Sequence, residues 1–470
     1  MNTENQTSQT PPLWASIKEA LRGTHRDYTT GSLNRAILLL SIPMVLEMLL
    51  ESLFAVVDVF WVAHLGSNAV ATVGLTESIL TLVFAVGIGL SLSTTAMVAR
   101  RTGEKDREGA AVAAVQAIAL GIVFCAVIGI PCWFMAGKLL HLMGASREIV
   151  AVGSGYARVV LGGCGIVVLL FLNNAVFRGA GDAAVAMRVL FVSNVLNLIL
   201  DPCLIFGLGP FPRLGVTGAA VATLTGRSCG VVYQFFLMKR GTEHLRIFAR
   251  HLRLNLAVML RLLRVSVAGI VQFMIAQSSW IVLVRIISLF GSAAVAGYTI
   301  GIRIIVFAIL PAWGLSNAAA TLVGQNLGAQ RPDRSEKAVW VTSFYTMLFL
   351  GAIGVVFLVF DTHVIRLFTQ EAAVVPQAVS CLRILSYGNV AYAYAMVMLQ
   401  AFNGAGDTRT PMVVNFFGYW VVEIPLAYVL AVHARMEALG VYIAILVSEA
   451  GIAAASTFLF KRGRWKTKKI

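Results

Sequence analysis

The chain has 470 residues, of which 58% are hydrophobic and only 13% are charged. A soluble domain carries about 25% charged residues, so this composition excludes a soluble enzyme and indicates a polytopic membrane protein. The net charge of +15 does not indicate nucleic-acid binding, because the basic residues lie between apolar runs and at the chain ends. There they fit topology determinants and contacts to lipid headgroups.

Residues 1–36 precede the first apolar run. The polar residues 1–12 lack the features of a cleavable signal and are expected to be disordered. Residues 13–22 predict a short interfacial helix, because their large apolar side chains share one helical face. Those side chains are Leu13, Trp14, Ile17 and Leu21.

Twelve apolar runs follow, each long enough to cross a bilayer, which takes about 20 helical residues. We number them spans one to twelve. Their approximate bounds are 37–63, 70–99, 111–136, 150–177, 187–208, 215–238, 262–289, 296–325, 338–360, 376–402, 411–432 and 440–460. The sequence therefore predicts an all-α polytopic membrane protein with twelve transmembrane helices.

The distribution of basic residues predicts the orientation of these spans. An even number of spans puts both termini on one side, and 27 of the 37 Lys and Arg residues lie on that side. Because cytoplasmic loops carry the excess of positive charge, we expect both termini in the cytoplasm of a prokaryotic inner membrane.

Four sequence pairs recur at one constant offset of 225 residues. They are LGSNAVA with FGSAAVA, RRTGEKD with GQNLGAQRPD, FRGAGD with FNGAGD, and Gly215-Val216 with Gly440-Val441. This register predicts a tandem duplication into two pseudo-symmetric six-helix bundles of the same orientation, with a central cavity between them. The predicted parts are a cytoplasmic tail with the interfacial helix (1–36), an N-terminal bundle (37–238), a basic cytoplasmic linker (239–261), a C-terminal bundle (262–460) and a basic cytoplasmic tail (461–470).

Span one carries three acidic residues inside its hydrophobic run. Glu47, Glu51 and Asp58 fall within about 40° of one another on a helix and therefore share one face. Intramembrane carboxylates cost roughly 2.5–3.5 kcal/mol each on insertion scales and usually have a function. Pro43 removes one backbone hydrogen bond and permits a kink. We interpret this face as a candidate ion-coupling site, with Glu47 near enough to the cytoplasmic end to reach water.

Span five places Asn194, Asn197 and Asp201 within about 60° on one face, followed by Pro202. A second intramembrane carboxylate among amides predicts a polar chamber that pairs Asp201 with Asp58. Such a pair could share a proton, or its oxygen atoms together with Asn197 could bind Na⁺. Two amides could also serve only to hold helices together.

The second half lacks this pattern, because Leu283 and Leu426 stand at the positions that correspond to Asp58 and Asp201. Its polar residues within spans are Gln272, Gln277, Asn317 and Glu423. The sequence therefore predicts that ion chemistry is concentrated in the N-terminal half, with a few polar groups of undefined role in the other.

Other motifs have structural interpretations. No GxxxxGK[ST] loop is present, so ATP does not drive this chain directly, and the seven histidines lack metal-ligand spacing. We expect no cofactor and no structural metal. The FRGAGD and FNGAGD turns lie at helix ends, where Asp182 and Asp407 favour helix capping over substrate binding.

With these residues laid out, the chain resembles the multidrug and toxic compound extrusion (MATE) family over nearly its whole length. The resemblance rests on the proline and VDVFWVAHLG of span one, the two GAGD turns, the NxxxD of span five, and GVTGAAVATLTG of span six. It implies a transporter that exports organic cations and amphipathic drugs in exchange for H⁺ or Na⁺ by alternating access. We expect the protein to act as a monomer among membrane lipids.

The resemblance also implies roles for individual residues. Asp58 corresponds to the coupling acid of span one, with Asn197 and Asp201 in the same network and Pro43 as the hinge. Glu51 stands where a neutral polar residue is expected, so it adds a proton or pairs differently. The supporting polar network comprises Tyr156, Asn174, Asn194 and Thr223.

The chain resembles the DinF-like branch more than the NorM-like branch, because span seven lacks an acid. One alternative is a lipid-linked oligosaccharide flippase of the same superfamily, although flippase cavities are strongly cationic and the intramembrane charge here is mainly acidic. An intramembrane enzyme with Asp58 and Asp201 as an aspartyl dyad, or a channel, are further alternatives from other classes.

Overall fold

A computed structural model describes residues 13–23, 27–241 and 245–468, and in these residues the secondary structure is helical. The predicted interfacial helix is present as Leu13–Arg22, while the segment 1–12 lies outside the described residues. Spans one to twelve are the helical segments Leu33–Ala63, Ser67–Gly103, Arg107–Leu142, 147–180, Ala183–Phe206, Val216–Arg240, 256–290, Ser292–Gly328, Pro332–Arg366, Val375–Gly404, 409–433 and Glu437–Lys461.

The predicted twelve-span, all-α fold is confirmed, and ten of the described helices are long and apolar enough to cross a membrane. Spans six and ten, of 25 and 30 residues, are also long enough. Their apolar character is diluted by small polar residues and by Arg227 and Arg383.

Two spans are not continuous α-helices. Span four is divided into Arg147–Gly162 and Cys164–Ala180. Span eleven runs as an α-helix to Asn415, as a π-helix over Phe416–Glu423, as an α-helix again and then as a second π-helix. π-Helical turns inside α-helices frequently mark functional sites.

The two six-helix halves meet near the end of the bundle that carries both termini, which we call the terminal face; the opposite end is the distal face. A Cβ atom at Gly103 would lie 1.9 Å from the Gln325 carbonyl oxygen, and one at Gly328 would lie 2.1 Å from the Arg100 carbonyl oxygen. Gly103 and Gly328 are equivalent residues of the sequence repeat. Each half therefore contributes the same glycine to the contact, where the backbones approach too closely for any side chain.

Residues before span one extend this contact between the halves. The guanidinium of Arg334, in the C-terminal half, donates to the carbonyl oxygens of Thr30 at 2.9 Å and Gly31 at 3.0 Å. The hydroxyl of Tyr28 donates to the Gly181 carbonyl of the FRGAGD turn at 3.4 Å. This segment therefore bridges the two halves at the terminal face.

Residues after span twelve form a second bridge. Trp465 is fully buried, with its ring stacked 4.7 Å from that of Phe460. The Lys466 ammonium lies 2.5 Å from the Glu336 carboxylate, a hydrogen bond that raises the pKa of Lys466. Arg100 of the N-terminal half donates to the Lys468 carbonyl at 2.9 Å.

Exposed charged residues of both halves lie toward the distal face. There, Glu77 of span two and Arg303 of span eight are both exposed, and their charges interact without forming an ion pair. By contrast, the hydrogen bond between Ser93 and Ser266, at 2.6 Å, joins spans two and seven in the terminal half of the bundle. The contacts between the halves described above are therefore concentrated at the terminal face, and Glu77 and Arg303 are exposed at the distal face.

Candidate functional site

Four side chains of the N-terminal half form one hydrogen-bonded path. The Asn197 amide donates to Asp201 Oδ1 at 3.0 Å and to the Thr223 hydroxyl at 3.3 Å. That hydroxyl donates to Asp58 Oδ1 at 3.3 Å. The path therefore connects the acids of spans one and five, as the sequence predicts, through a hydroxyl of span six.

Local packing explains why Thr223 lies between the acids. A Cβ atom at Gly218 would be 2.3 Å from the Leu204 carbonyl oxygen, and one at Gly226 would be 2.8 Å from the Ser193 carbonyl oxygen. These two glycines bring spans five and six into backbone contact. Thr223 lies between them in sequence and consequently faces Asn197.

The path is buried and incompletely hydrogen-bonded. Asp201 is fully buried and Asp58 is 9% exposed. Asp201 Oδ2 and Asn197 Oδ1 are buried oxygen atoms that have no hydrogen-bond partner. An unsatisfied buried carboxylate oxygen is costly unless it takes a proton or a cation. The site can therefore hold H⁺, or Na⁺ through carboxylate and amide oxygens.

Two further ionisable residues surround this path. Tyr156 of span four is buried, and the charges of Asp58 and Asp201 act on its hydroxyl. Glu77 of span two lies close enough for its charge to act on Asp58. The predicted contribution of Tyr156 thus has a geometric basis, whereas Glu77 was missed by sequence reasoning. The sequence does indicate Glu77, because it is an acidic residue 10 positions after Ser67, the first residue of the span two helix.

Glu47 belongs to a separate network near the terminal face. Its Oε1 atom accepts from the Arg178 guanidinium at 2.5 Å and from the Asn174 amide at 3.0 Å. Gln234 donates to Asn174 Oδ1 at 2.6 Å. Glu47 is 1% exposed, so the expectation that it reaches water is wrong: Arg178, at the end of span four, compensates its charge inside the protein.

Glu51 has a basic partner of its own. Its carboxylate lies 2.8 Å from Arg227 of span six, and the Arg227 guanidinium also covers the Phe54 ring at 4.6 Å from the centroid. Of the two possibilities left open by the sequence, the structure favours different pairing over an extra proton. The acidic face of span one therefore divides into two ion pairs and Asp58.

Two predicted residues have structural contacts rather than contacts to the acids. The Asn194 amide donates to the Leu50 carbonyl at 2.7 Å, which joins spans five and one. Pro43 is buried inside a helix that is continuous from Leu33 to Ala63. The adjacent Met44 lies against Gly314 of the other half, where a Cβ atom would be 2.7 Å from the Met44 backbone. Pro43 therefore lies at the level where the halves touch.

The polar residues predicted in the C-terminal half are dispersed. Gln272 and Gln277 are half-buried on span seven, whereas Glu423 is 4% exposed on span eleven. Asn317 accepts a hydrogen bond from Gln400 at 2.6 Å. The charge of Glu449 of span twelve, another acid missed by sequence reasoning, acts on Glu423.

In the described residues, no group of three or more His, Cys, Asp or Glu side chains could hold a metal ion. The oxygen set of the N-terminal half therefore depends on amide and hydroxyl groups as well as on two carboxylates.

Comparisons with known proteins agree with this architecture. The family model described as MatE matches residues 43–203 and 269–429, one segment in each half. The probable multidrug resistance protein NorM of Thermotoga maritima is 26% identical over 93% of this chain and 94% of the relative. The multidrug export protein MepA of Staphylococcus aureus is 22% identical over 90% and 93%. A crystal structure of MATE in the straight conformation is 28% identical, covers 95% of this chain and 98% of its own, and has a TM-score of 0.86.

Proposed function

The chain belongs to the MATE family, and on that premise we propose that it is a cation-coupled antiporter that exports organic cations and amphipathic drugs by alternating access. Members of this family are transporters and not enzymes. The names of the relatives do not favour a lipid-linked oligosaccharide flippase. The observation that carries the proposal is the buried path from Asp58 to Asp201, with oxygen atoms that lack a partner.

The coupling ion binds at Asp58, Asn197 and Asp201. Two carboxylates linked by one amide and one hydroxyl repel each other when both are ionised, and burial increases that repulsion. A proton on either acid, or Na⁺ between them, removes most of the repulsion and lets spans one and five approach. Ion binding is thereby converted into a movement of span one. The branch of the family to which the chain is closer, and the choice between H⁺ and Na⁺, stay predictions.

Pro43 is the proposed hinge of that movement. Proline has no backbone N–H, so the helix lacks one hydrogen bond at this point and bends there at lower cost than elsewhere. The part of span one before Pro43 packs in one apolar cluster with the other half, where Ile37 and Leu40 join Ala318 and Leu322. Met44, directly after Pro43, lies against Gly314. The part after it carries Glu51 and Asp58. A bend at Pro43 would move the acids while the contact between the halves stays closed.

Positive-inside topology assigns the terminal face to the cytoplasm. Contacts concentrated at the terminal face fit an outward-facing state, from which a small-molecule drug is released and an external ion enters at the distal face. Tyr156 supports the polar network around the site. Glu51, Asn174 and Asn194 join spans six, four and five to span one and so hold the helices around it. We propose that a monomer in a prokaryotic inner membrane suffices, because ion site and cleft lie within one chain.

The experiment is dye efflux by the full-length protein in vesicles, driven by an imposed pH gradient alone and by an imposed Na⁺ gradient alone. We expect Asp58→Asn and Asp201→Asn to abolish ion-driven ethidium efflux at normal expression. Glu104→Gln, which removes an acid outside the spans, is the matched control and keeps full efflux. Full efflux by both Asp variants would refute the proposal, and the active gradient in the parent protein identifies the ion.

A further inference from the structure

We propose that Glu423 of span eleven and Glu449 of span twelve form a second proton-binding site, in the C-terminal half. This inference rests on the proposed antiport function and adds a site to it. The two carboxylates interact electrostatically inside the C-terminal half, whereas Asp58 and Asp201 belong to the N-terminal half.

Unsatisfied oxygen atoms point to a bound ligand. Glu423 is 4% exposed, and its Oε2 atom has no hydrogen-bond partner. Glu449 Oε1 accepts from the Tyr419 hydroxyl at 3.1 Å, but its Oε2 atom is also buried without a partner. A carboxylate oxygen in that environment is satisfied when it carries a proton, which turns it into a donor.

The repeat supports the placement. Ser448 of span twelve corresponds to Thr223 of span six under the offset of the duplication. Thr223 accepts from Asn197 of span five, and the hydroxyl of Ser448 donates to the Gly418 carbonyl of span eleven at 2.9 Å, in the π-helix that carries Glu423. The same position in each half therefore carries a hydroxyl that contacts the fifth span of that half.

The acids occupy different positions of the repeat in the two halves. The N-terminal half has Leu198 and Leu224 at the positions of Glu423 and Glu449. Conversely, the C-terminal half has leucine at the positions of Asp58 and Asp201. Each half thus has its own pair of acids, at positions where the other half is apolar. An apolar residue is what a helix packed within the membrane tolerates best, so each pair requires a reason of its own.

The surroundings favour a proton over a metal cation. The ionisable groups around the pair are Tyr419 on span eleven, Tyr392 on span ten and Tyr298 on span eight. Among the described residues, no Lys, Arg or His acts on either carboxylate. Two like charges without a counter-ion share one proton readily, whereas hard metal cations take a fuller set of oxygen ligands.

A second site changes the stoichiometry of exchange. Each proton coupled to export multiplies the limiting substrate ratio about tenfold for every unit of pH gradient, since a factor of ten is about 1.4 kcal/mol. If Glu423 and Glu449 contribute one proton, removing them reduces that ratio without abolishing transport. Removing Asp58 abolishes uphill transport altogether.

The test uses full-length protein in proteoliposomes with the membrane potential clamped to zero. The limiting ratio of a fluorescent organic cation is measured at an imposed gradient of one pH unit. We expect Glu423→Gln/Glu449→Gln to reduce the ratio about tenfold, while Glu437→Gln, an exposed acid at the start of the same helix, leaves it unchanged. An unchanged ratio in the double variant overturns the inference. Loss of Na⁺-driven transport in that variant, with the ratio under the pH gradient unchanged, also overturns it.

Infrared difference spectroscopy tests the site independently of transport. In an Asp58→Asn/Asp201→Asn background, acidification should produce a protonated-carboxyl band that weakens when Glu423→Gln/Glu449→Gln is added and is unchanged when Glu437→Gln is added. If the double variant is not recovered folded, Glu449→Gln alone is measured, because it removes one of the two sharing groups. A band of unchanged intensity after these two substitutions overturns the second site, whatever the outcome for the antiport proposal.

Discussion

Replacing Arg178 by alanine tests whether the ion pair with Glu47 is needed for folding. Glu47 and Arg178 side chains are only 2% and 13% exposed, and their charged atoms lie 2.5 Å apart. Removing one partner of such a pair costs about 3–5 kcal/mol, because it leaves a buried charge without compensation. Glu47 can lower this cost by binding a proton, which removes its charge.

The free energy of this protonation sets the loss of stability in the variant. Protonating a carboxyl of ordinary pKa, about 4.3, costs about 3.7 kcal/mol at pH 7 and about 1 kcal/mol at pH 5. The variant therefore binds a proton on folding, and its stability relative to the parent falls as the pH rises. We expect Arg178→Ala to lose about 3–4 kcal/mol at pH 7 and to recover most of that loss at pH 5.

The assay is chemical unfolding in mixed micelles at both pH values. Arg101→Ala is the control, because Arg101 pairs with Glu104 at 2.9 Å with both side chains about one-third exposed. Such a pair contributes about 0–1 kcal/mol. Glu47→Gln/Arg178→Gln, which removes both charges, is expected to be less harmful than Arg178→Ala. A loss below about 1 kcal/mol at pH 7, or one independent of pH, would refute the reasoning.

Two further substitutions test the contact between the halves and the acid path. Gly103→Ala places a Cβ atom against the Gln325 carbonyl, so we expect it to open the terminal face, measured as increased labelling of a cysteine placed there. Gly74→Ala, where the added atom meets nothing within 4 Å, is the matched control, and equal labelling in both would contradict the role of the contact. Thr223→Val keeps the shape but removes the hydroxyl between Asp58 and Asn197. We expect at least a tenfold loss of ion-driven efflux, about 1.4 kcal/mol, with recovery in Thr223→Ser; equal efflux in the two variants would exclude a role for the hydroxyl.

The spans and the repeat could be predicted from the sequence because they are set by composition and by register along the chain. The approach of Asp58 to Asp201 could also be predicted, since each acid lies on the polar face of an otherwise apolar span. Glycines at 218 and 226 were visible in the motif of span six. Their consequence, the insertion of Thr223 between the acids, required the distance between two helices.

The partners of Glu47 and Glu51 could not be predicted. Both acids lie on the same face as Asp58, so periodicity treats the three alike. Arg178 and Arg227 are distant along the chain, and pairing depends on the rotation of spans four and six about their axes. Glu449 was overlooked because a single acid in an apolar run gains meaning only when Glu423 is found beside it.

The bridges at the terminal face have a consequence for biogenesis. They use carbonyl groups at residues 30, 31 and 468, which precede span one and follow span twelve. Insertion of the twelve spans can proceed in order, yet the contact of Arg100 with residue 468 cannot form until span twelve has been made. The terminal face is therefore completed only after the last of the twelve spans is in place. A protein fused after Lys468 would be attached directly to the segment that completes this contact.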